Sequence, residues 1–330
     1  MSTINNNSNT FPVAVPTVSS SSTSANQQRF AATEAQLEVW LSSKHCVEAN
    51  CACNEISSLT FRGDLDIENL KQAIGKVIQR HTILRSTFSA DGQQIIVHEK
   101  SNFDFELHDW SKTESSEVPK LKQQVVAKLA STPFNLETSP LLRVVVQIVD
   151  PTRHVLTFAA HHAVLDGWSL AVFCKDLGHF YDQLSGIDVP ELPPANQYQD
   201  YATAMETYFV SEKGQADEAF WTDQYSDSIP MLDLPIESRR PKLRRYGAER
   251  YDHDLSVDLV ESVRKIGAKQ GCSLYNVMLA AFNAYVARLS GNDDFCIGIP
   301  TAGQAAMDQP ELIGHCVNTC LLYTSPSPRD

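Results

Sequence analysis

Two adjacent histidines followed at a fixed offset by an aspartate and a glycine, His161-His162-Ala163-Val164-Leu165-Asp166-Gly167, are the residues of this chain best suited to chemistry. An imidazole changes charge near neutral pH, so it can take a proton from one reacting group and deliver it to another. The stretch before them, Arg153 to Ala160, is short, apolar and partly β-branched, and predicts a buried strand. The stretch after them, Trp168 to Phe173, opens an amphipathic helix. A strand end that leads into a helix is a place where side chains converge on a cleft. Successive strand side chains point to opposite faces. Leu156, Phe158, Ala160 and His162 therefore share one face, and Val155, Thr157, Ala159 and His161 the other. Such a pair is a poor chelator for one metal. One histidine is expected to be the working base, while the other packs or hydrogen-bonds in support.

The rest of the chain must supply the scaffold. Its 330 residues suffice for two lobes of ordinary domain size or one large domain. A composition of 42% hydrophobic and 20% charged residues is that of a globular protein, and the net charge of −13 argues against nucleic acid or an anionic membrane as the main partner. No apolar run approaches the roughly 18 residues a membrane-spanning helix needs, and the N-terminus has no signal-peptide pattern. Of eight cysteines only Cys51-Ala52-Cys53 is close-spaced, and no metal-ligand spacing occurs. Reduced, mostly buried thiols in a cytoplasmic protein are expected, with no metal.

Residues 1–28 are rich in Ser, Asn, Thr and Pro and predict a disordered leader or linker. Helix formation is expected from Thr33 or Glu34, a strand over Ile56 to Arg62, and a helix capped by Asp66 that buries Leu70, Ile74, Val77 and Ile78. Asp91-Gly92 signals a hairpin, and Leu121, Val125 and Leu129 mark a further helix. Leu141 to Val149 predicts a strand that pairs with 153–160 across Asp150-Pro151. Strands mixed with amphipathic helices make residues 29–185 an α/β lobe. A Pro-rich loop at 186–195 opens the second part, 186–319. Helices follow around Tyr198–Val210 and Gln215–Tyr225, with two more starting at Ser256 and Ser273. These last carry apolar faces (Leu259, Val263 and Ile266; Val277, Phe282, Tyr285 and Leu289), and Phe295 to Ile299 predicts a buried strand. Between them, Arg239 to Arg245 is a basic loop. Residues 320–330 turn from an apolar strand into a Ser-Pro run that looks like a translated sequencing adapter, so the fold is expected to end at Thr319 in a C-terminal lobe cut short.

Five ordered segments make the chain resemble the condensation domains of nonribosomal peptide synthetases. Thr33 to Trp40 looks like the opening motif through its Ala-Gln and Trp, and Arg80 to Phe88 is similar to the second, with Thr82 in place of a frequent Glu. His161 to Ser169 matches the active-site motif, Tyr198 to Ala202 is similar to the fourth, and Ile313 to Thr319 is similar to the fifth. In the fifth, His315-Cys316 stand where many members have another residue and Phe. The form Gly-His-Cys-Val-Asn most resembles members from hybrid polyketide–peptide assembly lines.

The resemblance implies two chloramphenicol acetyltransferase-like lobes in a V, with the active site at their junction. It also implies an amide-forming acyltransferase with no cofactor bound directly, whose substrates ride on the phosphopantetheine arms of upstream and downstream carrier proteins. An adenylation domain or ketosynthase module would be further partners. It makes His162 the candidate to deprotonate or orient the amine, with His161 in support. Asp166 is either a second base or a structural anion paired with Arg85, or failing that Arg80. Gly167 allows a tight turn and offers a backbone N–H to an oxyanion. Asn318 supplies a substrate contact or satisfies a strand end. Ser169 is a helix-start hydrogen-bonder and a second candidate substrate contact, while Trp40, Trp168 and Tyr198 pack. The competing readings are a standalone acyl-CoA-dependent acyltransferase and an inactive carrier-binding fragment.

Overall fold

A computed structural model describes residues 28–100, 103–227, 230–235, 241–242, 244–292 and 294–322. Strand β1 (Arg29–Ala31) leads into α1 (Glu34–His45) through a capping box, in which the Thr33 hydroxyl accepts from the Gln36 N–H and the Gln36 side chain accepts from the Thr33 N–H. Then come α2 (Val47–Cys51), β2 (Asn54–Arg62) and α3 (Ile67–Arg80). Asp66 caps α3 through the Asn69 N–H, and Leu70, Ala73, Ile74, Val77 and Ile78 form its buried face. A 3-10 turn (Thr82–Arg85) joins it to the hairpin of β3 (Ser86–Phe88) and β4 (Gln94–Val97), folded around Asp91-Gly92 as expected.

Strand β5 (Asp104–Asp109) and helix α4 (Val118–Ser131) precede the central hairpin of β6 (Leu142–Asp150) and β7 (Arg153–His161). The main sheet runs β2-β7-β6-β5, antiparallel except for the parallel β5–β6 pair, and a smaller sheet runs β1-β4-β3. Strand β7 is buried from His154 to His161, which explains why its sequence is continuously apolar rather than alternating. Helix α4 packs on β2, β6 and β7, and α3 packs on α5 (Gly167–Leu184), the helix that leaves the His-His segment.

After a loop through residues 186–197 come α6 (Tyr198–Val210) and α7 (Glu212–Gln224), then α8 (Val257–Lys269) and α9 (Leu274–Ser290) with Ser256 and Ser273 as caps. Strand β8 (Ile297–Ala302), the short helix α10 (Gly303–Ala306) and β9 (Val317–Leu322) complete the described chain, with β8 and β9 antiparallel. The pairing runs through Leu322, three residues beyond the boundary expected at Thr319. The leader at 1–27, the tail at 323–330 and part of the basic run 239–245 lie outside the described residues.

The core is drawn from Trp40 to Ala202 and, from far later in the chain, Leu312, Ile313 and Cys316. Two expectations change. The strand expected to be buried at Phe295 to Ile299 begins instead at Ile297, and β8 is part-exposed or exposed along its whole length, with only Phe295 just before it buried. Of the seven cysteines whose side chains are described, all free, only Cys316 is buried.

Candidate active site

The β2–β7 ladder ends at the pair Asn54 and His161, and the His162 N–H extends it by donating to the Cys53 carbonyl at 2.8 Å. The two imidazoles then part, as strand parity requires. His161 has no exposed surface. The Ser43 hydroxyl donates to the Val39 carbonyl at 2.7 Å, so its oxygen accepts the His161 Nε2–H at 3.1 Å, while His161 Nδ1 accepts the Ala163 N–H at 3.2 Å. Burial, reinforced by the nearby His162 and His315, pushes the His161 pKa down to about 3. It is a neutral brace for the loop. Gln36, buried in α1, holds the same loop by donating to the Ala163 carbonyl at 2.9 Å.

His162 keeps 28% of its side chain exposed. Its Nε2 lies 3.3 Å from Glu55 Oε1 on β2, and its Nδ1 lies 3.1 Å from His315 Nδ1. The two rings meet edge to face, with centroids 4.7 Å apart. Sequence reasoning assigned no role to Glu55 or His315. Glu55 faces Ala160 across the β2–β7 ladder, so only the strand register could have found it. His315 stands inside a quoted motif but comes near His162 only through the tertiary fold.

Asp166 is fully buried and is the cap of α5. Its Oδ1 accepts from the Ser169 N–H at 2.8 Å and the Ser169 hydroxyl at 2.7 Å. Its Oδ2 accepts from Gln304 Nε2 at 2.9 Å and the Cys316 N–H at 3.0 Å. Both oxygens are occupied and the side chain has no exposed surface, so it ties the start of α5 to two later segments of the chain. Neither expected arginine, Arg85 or Arg80, is among these partners. Arg85 donates instead to the His98 carbonyl, and burial lowers its pKa. Arg80 pairs at 2.8 Å with Asp176 of α5, which also meets His81 Nε2 at 2.7 Å. Burial alone would raise the Asp176 pKa, but the His81 hydrogen bond and the charges of His81 and Arg80 hold it below the usual range. The second motif therefore fastens α3 to α5 and leaves Asp166 alone.

Two further candidates change place. Ser169 is fully buried, bonded to Asp166 and accepting the Gly314 N–H at 3.0 Å, so its hydroxyl is taken up inside the protein rather than exposed at the surface. Gly167 needs no special backbone: a Cβ there would meet nothing within 4 Å, and its φ is not positive. It opens α5 onto free space. Asn318 is exposed on β9, and its Oδ1 accepts the Thr319 N–H at 2.8 Å, which is the strand-end arrangement. Trp40 and Tyr198 are buried, whereas Trp168 is partly exposed and donates to the Pro310 carbonyl at 2.9 Å. Among the described residues no group of three His, Cys, Asp or Glu side chains is arranged to hold a metal ion, and no helix is long and apolar enough to cross a membrane.

A family model described as "Condensation domain" matches residues 26–330. The chain belongs to the condensation-domain family. This condensation domain is 30% identical over 275 residues to gramicidin S synthase 2 of Brevibacillus brevis, covering 83% of this chain and 6% of that protein. It is likewise 30% identical over 303 residues to surfactin synthase subunit 2 of Bacillus subtilis (strain 168), covering 91% of this chain and 8% of that protein. The domain thus spans less than a tenth of either relative. Among solved structures, the first condensation domain of the calcium-dependent antibiotic synthetase, in complex with a substrate analogue, shares the fold. There the TM-score is 0.77 at 20% identity, over 90% of this chain and 69% of that one.

Proposed function

We propose that this condensation domain forms an amide bond between an upstream carrier-bound acyl or peptidyl thioester and a downstream carrier-bound aminoacyl amine. The observation that carries the reading is His162. It is a partly exposed histidine at a buried strand end, beside the buried His161 and five residues before Gly167 in the first turn of α5. The site draws on residues from both sides of the 186–197 loop: Glu55 and 161–169 from one, Gln304 and His315 from the other. Such a junction suits two carriers that deliver their phosphopantetheine arms from opposite sides. Tethering both substrates turns a bimolecular encounter into a positioned one.

In this reading the amine nitrogen attacks the thioester carbonyl carbon and a C–N bond forms. His162 Nε2 takes the amine proton. The C–S bond then breaks, its electron pair leaves on sulfur, and the proton passes to the thiolate. In the same reading the Gly167 N–H, at the positive end of an 18-residue helix, stabilises the developing oxyanion. The partners are the flanking carrier domains of a synthetase, with an adenylation domain or ketosynthase module supplying them, in the cytoplasm.

His162→Ala in the intact synthetase module tests the reading. Loss of general acid–base catalysis is expected to lower dipeptidyl-carrier formation by about 100-fold or more, while both carriers still load. Mass spectrometry of the carriers measures both, and unchanged product defeats the assignment.

A further inference from the structure

His315 belongs to a segment pinned with unusual completeness. Leu312, Ile313 and Cys316 are buried in the main core, and the Gly314 N–H and Cys316 N–H donate to Ser169 and Asp166. The Tyr198 hydroxyl donates to the His315 carbonyl at 2.7 Å, and Gly314 lies flat against the Tyr198 ring. These contacts fix the backbone on both sides of a ring that is itself only 7% exposed. That ring delivers one nitrogen, Nδ1, to 3.1 Å from Nδ1 of His162.

We propose that His315 is a positioning residue for His162: its Nδ1 accepts the His162 Nδ1–H, leaving His162 Nε2 as the ring nitrogen that faces substrate. The inference rests on the reading of His162 as the reactive histidine. Two ring nitrogens this close share one proton, so one ring donates and the other accepts. If His162 takes a second proton at Nε2, both its nitrogens carry hydrogen. The arrangement with His315 as acceptor survives that step unchanged, whereas the reverse would set two N–H groups head to head. His315 must therefore stay neutral. Burial, with a contribution from His162, pushes its pKa down to about 4, although the Asp166 carboxylate acts in the opposite sense. The other charged and titratable groups facing the pair are His161 from β7 and Glu55 from β2. Glu55, 3.3 Å from Nε2, accepts a hydrogen bond only while His162 is protonated there, so it steadies the charged ring.

The test reads the tautomer directly. Selective 15N labelling of histidine, with long-range 1H–15N correlation, reports which ring nitrogen carries the proton; His162→Ala identifies the His162 signals. Neutral wild-type protein is expected to show His162 protonated at Nδ1. His315→Leu should shift it toward the Nε2–H form, and His315→Asn, whose Oδ1 replaces the acceptor, should restore Nδ1–H. In the intact module His315→Leu is expected to lower kcat by about 10–100-fold with KM unchanged, the range seen when an orienting partner is removed, and His315→Asn to recover most of it. An Nε2–H tautomer in wild type, an unmoved tautomer in His315→Leu, or an unchanged kcat overturns the proposal. If the leucine variant does not fold, the wild-type tautomer alone decides. The two readings fail separately. Normal product from His162→Ala removes the catalytic assignment, whereas lost product combined with an Nε2–H His162 removes only the role of His315.

Discussion

A carboxylate with no exposed surface needs its charge answered on every side, and Asp166 is answered by four neutral donors: Ser169 N–H and hydroxyl, Gln304 Nε2 and Cys316 N–H. Two come from the first turn of α5, and two from segments 138 and 150 residues further along the chain. The side chain therefore both caps a helix and clasps a distant segment. Replacing it with asparagine keeps one acceptor oxygen but turns an amide NH2 toward donors. Asp166→Asn is expected to lower unfolding free energy by about 1.5–3 kcal/mol, the worth of charge-assisted hydrogen bonds left unmade. A urea titration measures it, and an unchanged midpoint at constant slope would sink the clasp. The histidines and the aspartate were legible in the sequence because strand parity and a cap position are local. The partners of Asp166 were not: an arginine was expected, but a buried carboxylate can be satisfied by backbone, hydroxyl and amide donors that leave no charged residue to recognise.

At the scale of elements, what is local again shows in the sequence. Asp66, Ser256 and Ser273 each cap the helix they were expected to cap, and Thr33 caps the helix expected to start at Thr33 or Glu34, since a side-chain oxygen three residues before a free N–H suffices. The hairpins at Asp91-Gly92 and Asp150-Pro151 follow from turn chemistry. Strand β5 was not legible: its parallel neighbour is β6, and its charged residues suit an edge. Nor was the seat of 312–316, which has no periodicity and owes its position to long-range contacts. Two glycines separate the kinds of constraint. A Cβ at Gly314 would lie 2.0 Å from Cδ2 of Tyr198, a ring packed in the core, whereas one at Gly167 meets nothing. Gly314→Ala is expected to destabilise by about 1–3 kcal/mol, as overpacking does, while Gly167→Ala stays within about 0.5 kcal/mol, as for a change away from tight packing. Thermal unfolding of the two variants side by side checks this. Equal shifts would show that Gly314 is not sterically required.

Over the whole molecule, burial is unevenly shared. The strands β6 and β7 with α3 and α5 contribute most of the side chains that lose all contact with water, and the 312–316 segment joins that same core. Helices α8 and α9 pack on one another, yet Leu259, Ile266, Tyr275, Phe282 and Tyr285 are all more than a third exposed, and Val286 is the one apolar side chain of the pair that is buried. The sequence shows periodic apolar residues along both helices. The periodicity predicted helix correctly, but a pattern cannot say whether a second layer is present to cover it. Apolar burial is worth roughly 25 cal/mol per Å², so helices that withdraw little surface from water open at lower free energy than the sheet they follow. Hydrogen exchange followed by mass spectrometry should therefore show α8 and α9 exchanging well before β6 and β7. Urea should also unfold them in a separate, earlier transition. Protection of α8 and α9 equal to that of the central strands, with a single coincident transition by all probes, would mean that the chain folds as one cooperative unit despite its exposed apolar face.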